Sequence, residues 1–261
     1  PDAYTEAPTP VTVVLAGVVT KMGTYSLLRF NVTMFPDLIR QWALPLALLA
    51  VLTVLYGSLA ALAQRDAKRL VAYTSIPSMG FVLLGSVAAT NYGLAGATFQ
   101  MVSHGLLVSV LFLAIGYVED ATGTRMINKL SGLADRLPVV AAVLVAGAFG
   151  YMGLPLMSGF AGEFFVFTGS FAAPYPHAQL VTAVAMFGIV VVAGYLLRLL
   201  QGVLMGPFEA PTTVTPRSRR DLAPAVVLVL LSIALGVAPG MLMGAIQDAV
   251  GAFVAVLGGG L

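Results

Sequence analysis

The chain has no cysteine, one tryptophan, two histidines and few charges, with 13 Lys and Arg and 11 Asp and Glu among 261 residues. Without cysteine there is neither a disulfide nor a thiolate-held iron–sulfur cluster. Two histidines with no acidic cluster beside them argue against an internal metal or haem site. Any redox cofactor therefore belongs to another chain. A charged fraction of 9%, against about 25% in soluble domains, excludes a soluble fold. The net charge of +2 is confined to loops, which excludes a nucleic-acid surface. What is abundant is apolar, 59% of all residues. It comes in runs of about 20 residues, the length of a bilayer-crossing helix, not in the roughly ten-residue alternating segments of a membrane barrel. The expected class is an all-α polytopic membrane protein.

Apolar segments span 11–30, 42–63, 70–89, 94–118, 137–171, 180–200 and 222–237. They predict about seven transmembrane helices. A weaker stretch at 241–257, interrupted by Asp248 and ended by glycines, is expected to form a terminal interfacial helix if any. Residues 1–10 (PDAYTEAPTP) read as a loop or re-entrant segment, not as an initiator followed by a targeting peptide, so the sequence reads as a fragment of a longer chain. With alternating crossings, Arg65, Lys68, Arg69, Arg125, Lys129, Arg136, Arg217, Arg219 and Arg220 share one face, and only Arg29 and Arg40 fall on the other. The positive-inside rule makes the first face cytoplasmic.

Segment 137–171 is too long for one straight crossing, and its centre, GYMGLPLMSGFAGEF, concentrates glycine with Pro155. Such a run predicts a helix that is discontinuous near 153–162. Unpaired backbone at membrane depth is tolerated where protein or a water-filled cavity satisfies it, so the break suggests an ion or substrate route. The plainer reading is a kink or a tight helix contact. Pro77 reads equally as a kink without function or as a gate.

Three ionisable residues, Lys21, His104 and Glu163, lie near the middle of apolar segments. Lys21 sits roughly 15 Å from either end at about 1.5 Å per residue, beyond easy snorkelling reach. A lysine there costs on the order of 2.5–3.5 kcal/mol, so something should compensate for it. The functional reading is proton exchange, with Lys21 and Glu163 loading and unloading and His104 relaying between them. The structural reading is a static ion pair for Lys21 and Glu163 and a helix-to-helix hydrogen bond for His104. His177 reads as solvent-facing, and Asp66 is expected to make exposed, weak pairs with Lys68, Arg69 or Arg65.

The motifs PDAYTEAPTP, VVTKMGTYSLLRF, AQRDAKRLVAYTSIPSMGFVLLG, QMVSHGL and GLPLMSGFAGEFF, in this order, resemble antiporter-like proton-translocating subunits, most closely the subunit M type of respiratory complex I. The resemblance is strong over 1–171 and looser beyond. It implies a fold of about fourteen helices containing two inverted five-helix repeats. Residues 1–36 would end the first repeat, 37–206 form the second, and 207–261 form a cytoplasmic loop with the terminal helix or helices. Lys21 then matches the family's central lysine, His104 its relay histidine, and Glu163 the acid of the broken helix. N-type and antiporter D-type relatives carry lysine at the last position, so the acid favours the M type. Ser78 stands where the family often has histidine and becomes a candidate water-holding position. The glutamate–lysine pair of the first half-channel is absent.

The resemblance further implies proton translocation driven by NADH:quinone oxidoreduction in a prokaryotic cell membrane. NADH, FMN, iron–sulfur clusters and quinone are expected in partner subunits and none in this chain. Other membrane subunits, a peripheral redox arm and the lipid bilayer are the expected partners. The alternatives are a multisubunit sodium/proton antiporter, a membrane hydrogenase, a deazaflavin-linked dehydrogenase, or a structural scaffold.

Overall fold

A computed structural model describes residues 1–208 and 218–258. Its architecture is a helical membrane bundle: α1 Thr9–Val32, α2 Ala43–Leu62, α3 Ala67–Val87 and α4 Asn91–Thr122. These are followed by α5 Pro138–Tyr151, α6 Ser158–Phe171, α7 Ala178–Leu204, α8 Ala223–Val237 and α9 Gly240–Gly258. Among the described residues six helices are long and apolar enough to cross a membrane: α1 to α4, α7 and the Arg220–Val237 helix that contains α8. The two halves α5 and α6 make the seventh passage, so the all-helical bundle and its discontinuous member stand as expected. The break is shorter than the sequence suggests. It occupies 152–157, and Gly159 and Gly162 are already helical.

The bundle is organised around α4, which is buried along most of its length and touches α1, α3, α5, α6, α8 and α9. Small residues on its surface let neighbours come close, the packing device that replaces the hydrophobic effect between helices in lipid. At its start the Thr90 hydroxyl accepts from the Gly93 amide at 3.1 Å and donates to the Gly169 carbonyl of α6 at 3.0 Å, tying the two helices at one end.

At the other end the basic loops meet. The Ala67 amide bonds the Arg125 carbonyl at 2.8 Å and the Ile127 amide the Arg65 carbonyl at 2.9 Å, while Gly132 bonds Met205 at 3.1 Å. We call this the basic end. Arg217 and the glycines at 259 and 260 lie outside the described residues. The expected pairing of Asp66 with its sequence neighbours is corrected here. One oxygen of Asp66 caps α3, accepting from the Lys68 and Arg69 amides at 2.9 and 3.0 Å, and the other holds Arg125 at 2.5 Å. An N-terminal capping carboxylate is already committed to the helix, and the remote guanidinium from the α4–α5 connection reaches the oxygen left over.

The opening segment folds back against the bundle. Asp2–Glu6 is a short helix whose Tyr4 ring packs edge-on to Phe112 of α4, with centroids 6.3 Å apart. The Tyr4 hydroxyl hydrogen-bonds Thr20, next to Lys21. The carboxy-terminal stretch is the helix α9, and its Met243, Ile246 and Val250 are buried against a cluster that includes Leu28, Val32, Leu94 and Phe99. It therefore packs on α1 and α4.

Candidate functional site

Lys21 is positioned by an irregular helix. α1 contains two π-helical stretches, Leu15–Val19 and Leu27–Val32, on either side of it. Such stretches interrupt the i→i+4 pattern and recur at functional sites. The Ala16 carbonyl, five residues back, accepts from Lys21 Nζ at 2.5 Å. Close approach of α1 to α4 does the rest: a Cβ on Gly105 would stand 2.7 Å from the Gly17 carbonyl oxygen, so glycine at 105 is what allows this spacing. Lys21 Nζ then meets His104 Nδ1 at 2.6 Å, with both side chains buried. An ammonium only donates, so opposite a charged Lys21 the imidazole accepts at Nδ1 and carries its proton on Nε2. That Nε2 is fully enclosed and has no hydrogen-bond partner among the described residues.

The next group was not singled out by the sequence. Tyr151, the last residue of α5 before the break, lies edge-on to the His104 ring with centroids 5.6 Å apart. Its hydroxyl donates to the Thr74 carbonyl at 2.6 Å, and Ser78 Oγ stands 2.7 Å from the Tyr151 hydroxyl oxygen. Since the one phenolic proton goes to Thr74, Ser78 is the donor of the second bond. Ser78 is thus engaged with a tyrosine, close to Pro77, where α3 lacks a backbone donor. Tyr151→Phe is expected to cost about 1–2 kcal/mol, because the Thr74 carbonyl and Ser78 hydroxyl lose a buried partner, and thermal denaturation against wild type measures it.

Glu163 lies in the second turn of α6 and is buried, with Gly153 of the break against its carboxylate. Gly153 has φ +74°, and a Cβ there would stand 2.5 Å from Glu163 Oε2, so both backbone conformation and space demand glycine. On its other side Glu163 borders a cavity of about 550 Å³ walled by Phe160, Phe164, Phe167 and Phe171. Tyr195 is completely buried on α7, with its hydroxyl unpartnered among the described residues. A serine chain fixes the break: Ser158 Oγ, at the start of α6, lies 2.8 Å from Ser103 of α4 and 2.8 Å from Ser232 of α8.

The structure brings Lys21 and His104 into direct contact, sets the Tyr151 ring against that of His104, bonds Tyr151 to Ser78 and places Glu163 against Gly153 of the break. It makes no direct bond from His104 to Glu163. Among the described residues none of the ion pairs includes Lys21 or Glu163, so the static pair of the structural reading is not formed there. The one available signal for Tyr151 was its place immediately before MGLP.

Comparison with known proteins gives this arrangement its class. The family described as "NADH:quinone oxidoreductase/Mrp antiporter, TM" matches residues 1–191. The chain belongs to this family of membrane subunits. Among its relatives, NADH-quinone oxidoreductase subunit M of Rhodobacter capsulatus is 38% identical over 262 residues, 98% of this chain and 49% of that protein. Among solved structures, respiratory complex I from Thermus thermophilus superposes with a TM-score of 0.87 at 29% identity, over 96% of this chain and 52% of the matched one. The Mrp complex from Dietzia sp. superposes with 0.86 at 25% identity, over 98% and 54%. The chain spans about half the length of the curated relatives it matches.

Proposed function

We propose that this chain carries protons across a membrane as the antiporter-like subunit of a redox-driven NADH:quinone oxidoreductase. A buried relay of Lys21, His104 and Glu163 would run through it, with the Tyr151–Ser78 hydroxyl pair between the last two. The observation that carries the proposal is the 2.6 Å contact of Lys21 Nζ with His104 Nδ1 in the bundle interior. A basic amine without a carboxylate partner, hydrogen-bonded to an imidazole whose other nitrogen is unsatisfied, is arranged to pass a proton. Glu163, bordering a cavity beside the helix break, is the exit group of this reading.

Partner subunits supply the oxidation, with NADH, FMN, iron–sulfur clusters and quinone held there. The basic end faces the cytoplasm of a prokaryotic cell. Residues 37–206, holding α2 to α7, form the second five-helix repeat, with 1–36 ending the first and 207–261 following it. Moving one charge against 100 mV costs about 2.3 kcal/mol, equivalent to between one and two pKa units, which is within the range of electrostatic switching at a buried group.

The likeness to the Mrp complex favours a second reading, sodium/proton exchange without electron transfer. One experiment separates the two. In proteoliposomes of the complete complex, Glu163→Gln is expected to lower proton uptake driven by NADH oxidation, and sodium gradients alone are expected to move no protons. Sodium-dependent flux without an electron donor selects the antiporter reading. Full NADH-driven uptake in the variant removes Glu163 from the relay.

A further inference from the structure

At the basic end, where α2 and α7 finish, a second cavity of about 550 Å³ has a different character from the phenylalanine-walled one. Arg65 and Arg198 line it together with Gln201, Asn128 and Ser131, and no acidic side chain does. Arg198 reaches across from α7 to the Leu62 carbonyl at the end of α2. Neither arginine forms an ion pair among the described residues. Both are exposed. Two guanidinium groups beside the amide groups of Gln201 and Asn128 present a positively charged set of donors, the complement of a phosphate diester, while the Ser131 hydroxyl already donates to the Pro207 carbonyl at 2.6 Å. The surface leading to it is apolar: Leu59 on α2 and Val190 and Leu197 on α7 are exposed, and Leu197 adjoins Arg198.

We propose that this cavity binds the phosphate of an anionic phospholipid whose acyl chains lie along the exposed faces of α2 and α7. A phosphate at the level where membrane helices end, with hydrocarbon directly below it, is the chemistry of a lipid headgroup, and basic pockets between helix ends recognise such groups. A free phosphate would use the arginines but not the apolar approach. The inference is independent of the transport reading, since none of these residues belongs to the relay. Bound there, the lipid would bridge the α2–α3 connection, the α4–α5 connection and the end of α7, three segments that already meet through the Ile127 to Arg65 bond and Arg198.

The test places the purified complex in phosphatidylcholine nanodiscs doped with phosphatidylglycerol and follows retained lipid by native mass spectrometry. Wild type is expected to keep a phosphatidylglycerol that Arg65→Gln/Arg198→Gln holds roughly thirtyfold less tightly, from about 1 kcal/mol per basic side chain at a membrane surface. Arg65→Lys/Arg198→Lys should keep most of it, which separates loss of the site from loss of the fold. Raising salt should release the lipid from wild type, a readout that needs no variant. Equal retention by the glutamine variant overturns the proposal, as does no preference for phosphatidylglycerol in wild type, the result expected if a neighbouring subunit covers the cavity. Displacement by inorganic phosphate overturns the lipid assignment in favour of a free anion.

Discussion

Lys21→Met is expected to reduce proton flux through the assembled complex by at least about tenfold, the effect of a mismatch of one pKa unit in a relay, while leaving stability nearly unchanged. The two halves of this expectation come from opposing effects of known size. Removing an amine from the centre of a membrane helix relieves on the order of 2.5–3.5 kcal/mol. Leaving His104 Nδ1 without its partner costs about 1–3 kcal/mol. These nearly cancel. The proposed relay, by contrast, has no substitute at 21, because methionine neither binds nor releases a proton. Lys21→Arg sharpens the test: arginine retains the charge but does not give up its proton at physiological pH. A structural role for the charge predicts rescue by arginine, and a relay predicts that arginine fails as methionine does. Proton uptake in proteoliposomes beside thermal denaturation of the same preparations gives both halves, and unchanged flux with a large loss of stability would assign Lys21 to structure.

Much of this arrangement can be read before any coordinates. Hydropathy locates the passages because lipid permits so few solutions for the backbone, and an ionisable group within such a passage stands out because its cost is high. The family motifs then order Lys21, His104 and Glu163. What the sequence does not carry is the contact between them. Lys21 and His104 are 83 residues apart, and their meeting depends on α1 and α4 approaching at Gly17 and Gly105, which no local pattern marks. Tyr151 passes unnoticed because a tyrosine in an apolar helix resembles any packing aromatic. Only the fold shows that its hydroxyl turns toward Thr74 and Ser78. Likewise the break is visible as a glycine and proline run, but its length is not. Gly159 lets α6 approach Gly150 of α5 and Gly162 lets it approach Gln100 of α4, whereas the left-handed Gly153 leaves space for a carboxylate.

At Ser78, where the resemblance implies that relatives often carry histidine, the structure sets a hydroxyl pair. The serine hydroxyl meets that of Tyr151, rising from α5. The pair keeps a hydroxyl chain at that depth without a titrating group. If the relay passes through it, Tyr151 and Ser78 reorient hydrogen bonds, and charge rests on Lys21, His104 and Glu163.

Arg125→Gln is expected to destabilise the protein by about 2–3 kcal/mol, between the roughly 0–1 of exposed pairs and the 3–5 of buried ones that lose a partner. Arg125 bonds Asp66 at 2.5 Å and the Thr5 carbonyl at 3.1 Å, and lies 3.3 Å from Glu6 and 3.6 Å from Glu119. Its partial burial favours loss of the proton, but the carboxylates of Asp66, Glu119 and Glu6 outweigh that and hold the guanidinium above its ordinary value. Without it Asp66 keeps only its capping bonds, and residues 1–7 lose their strongest ionic tie, keeping the 2.8 Å bond of Lys68 to the Ala7 carbonyl, the exposed Arg69–Asp2 pair at 3.0 Å, the 2.9 Å bond of the Thr12 hydroxyl to the Tyr4 carbonyl and the contacts of the Tyr4 side chain. Because Tyr4 in this segment bonds Thr20, the neighbour of Lys21, loosening should extend to the relay. Hydrogen exchange at residues 2–7 is expected to accelerate and proton flux to fall severalfold. Asp66→Asn, which keeps an oxygen for the α3 cap but loses the charge, should show a smaller version of both effects. Rapid exchange at 2–7 with undiminished flux would confine the cluster to holding the basic end together.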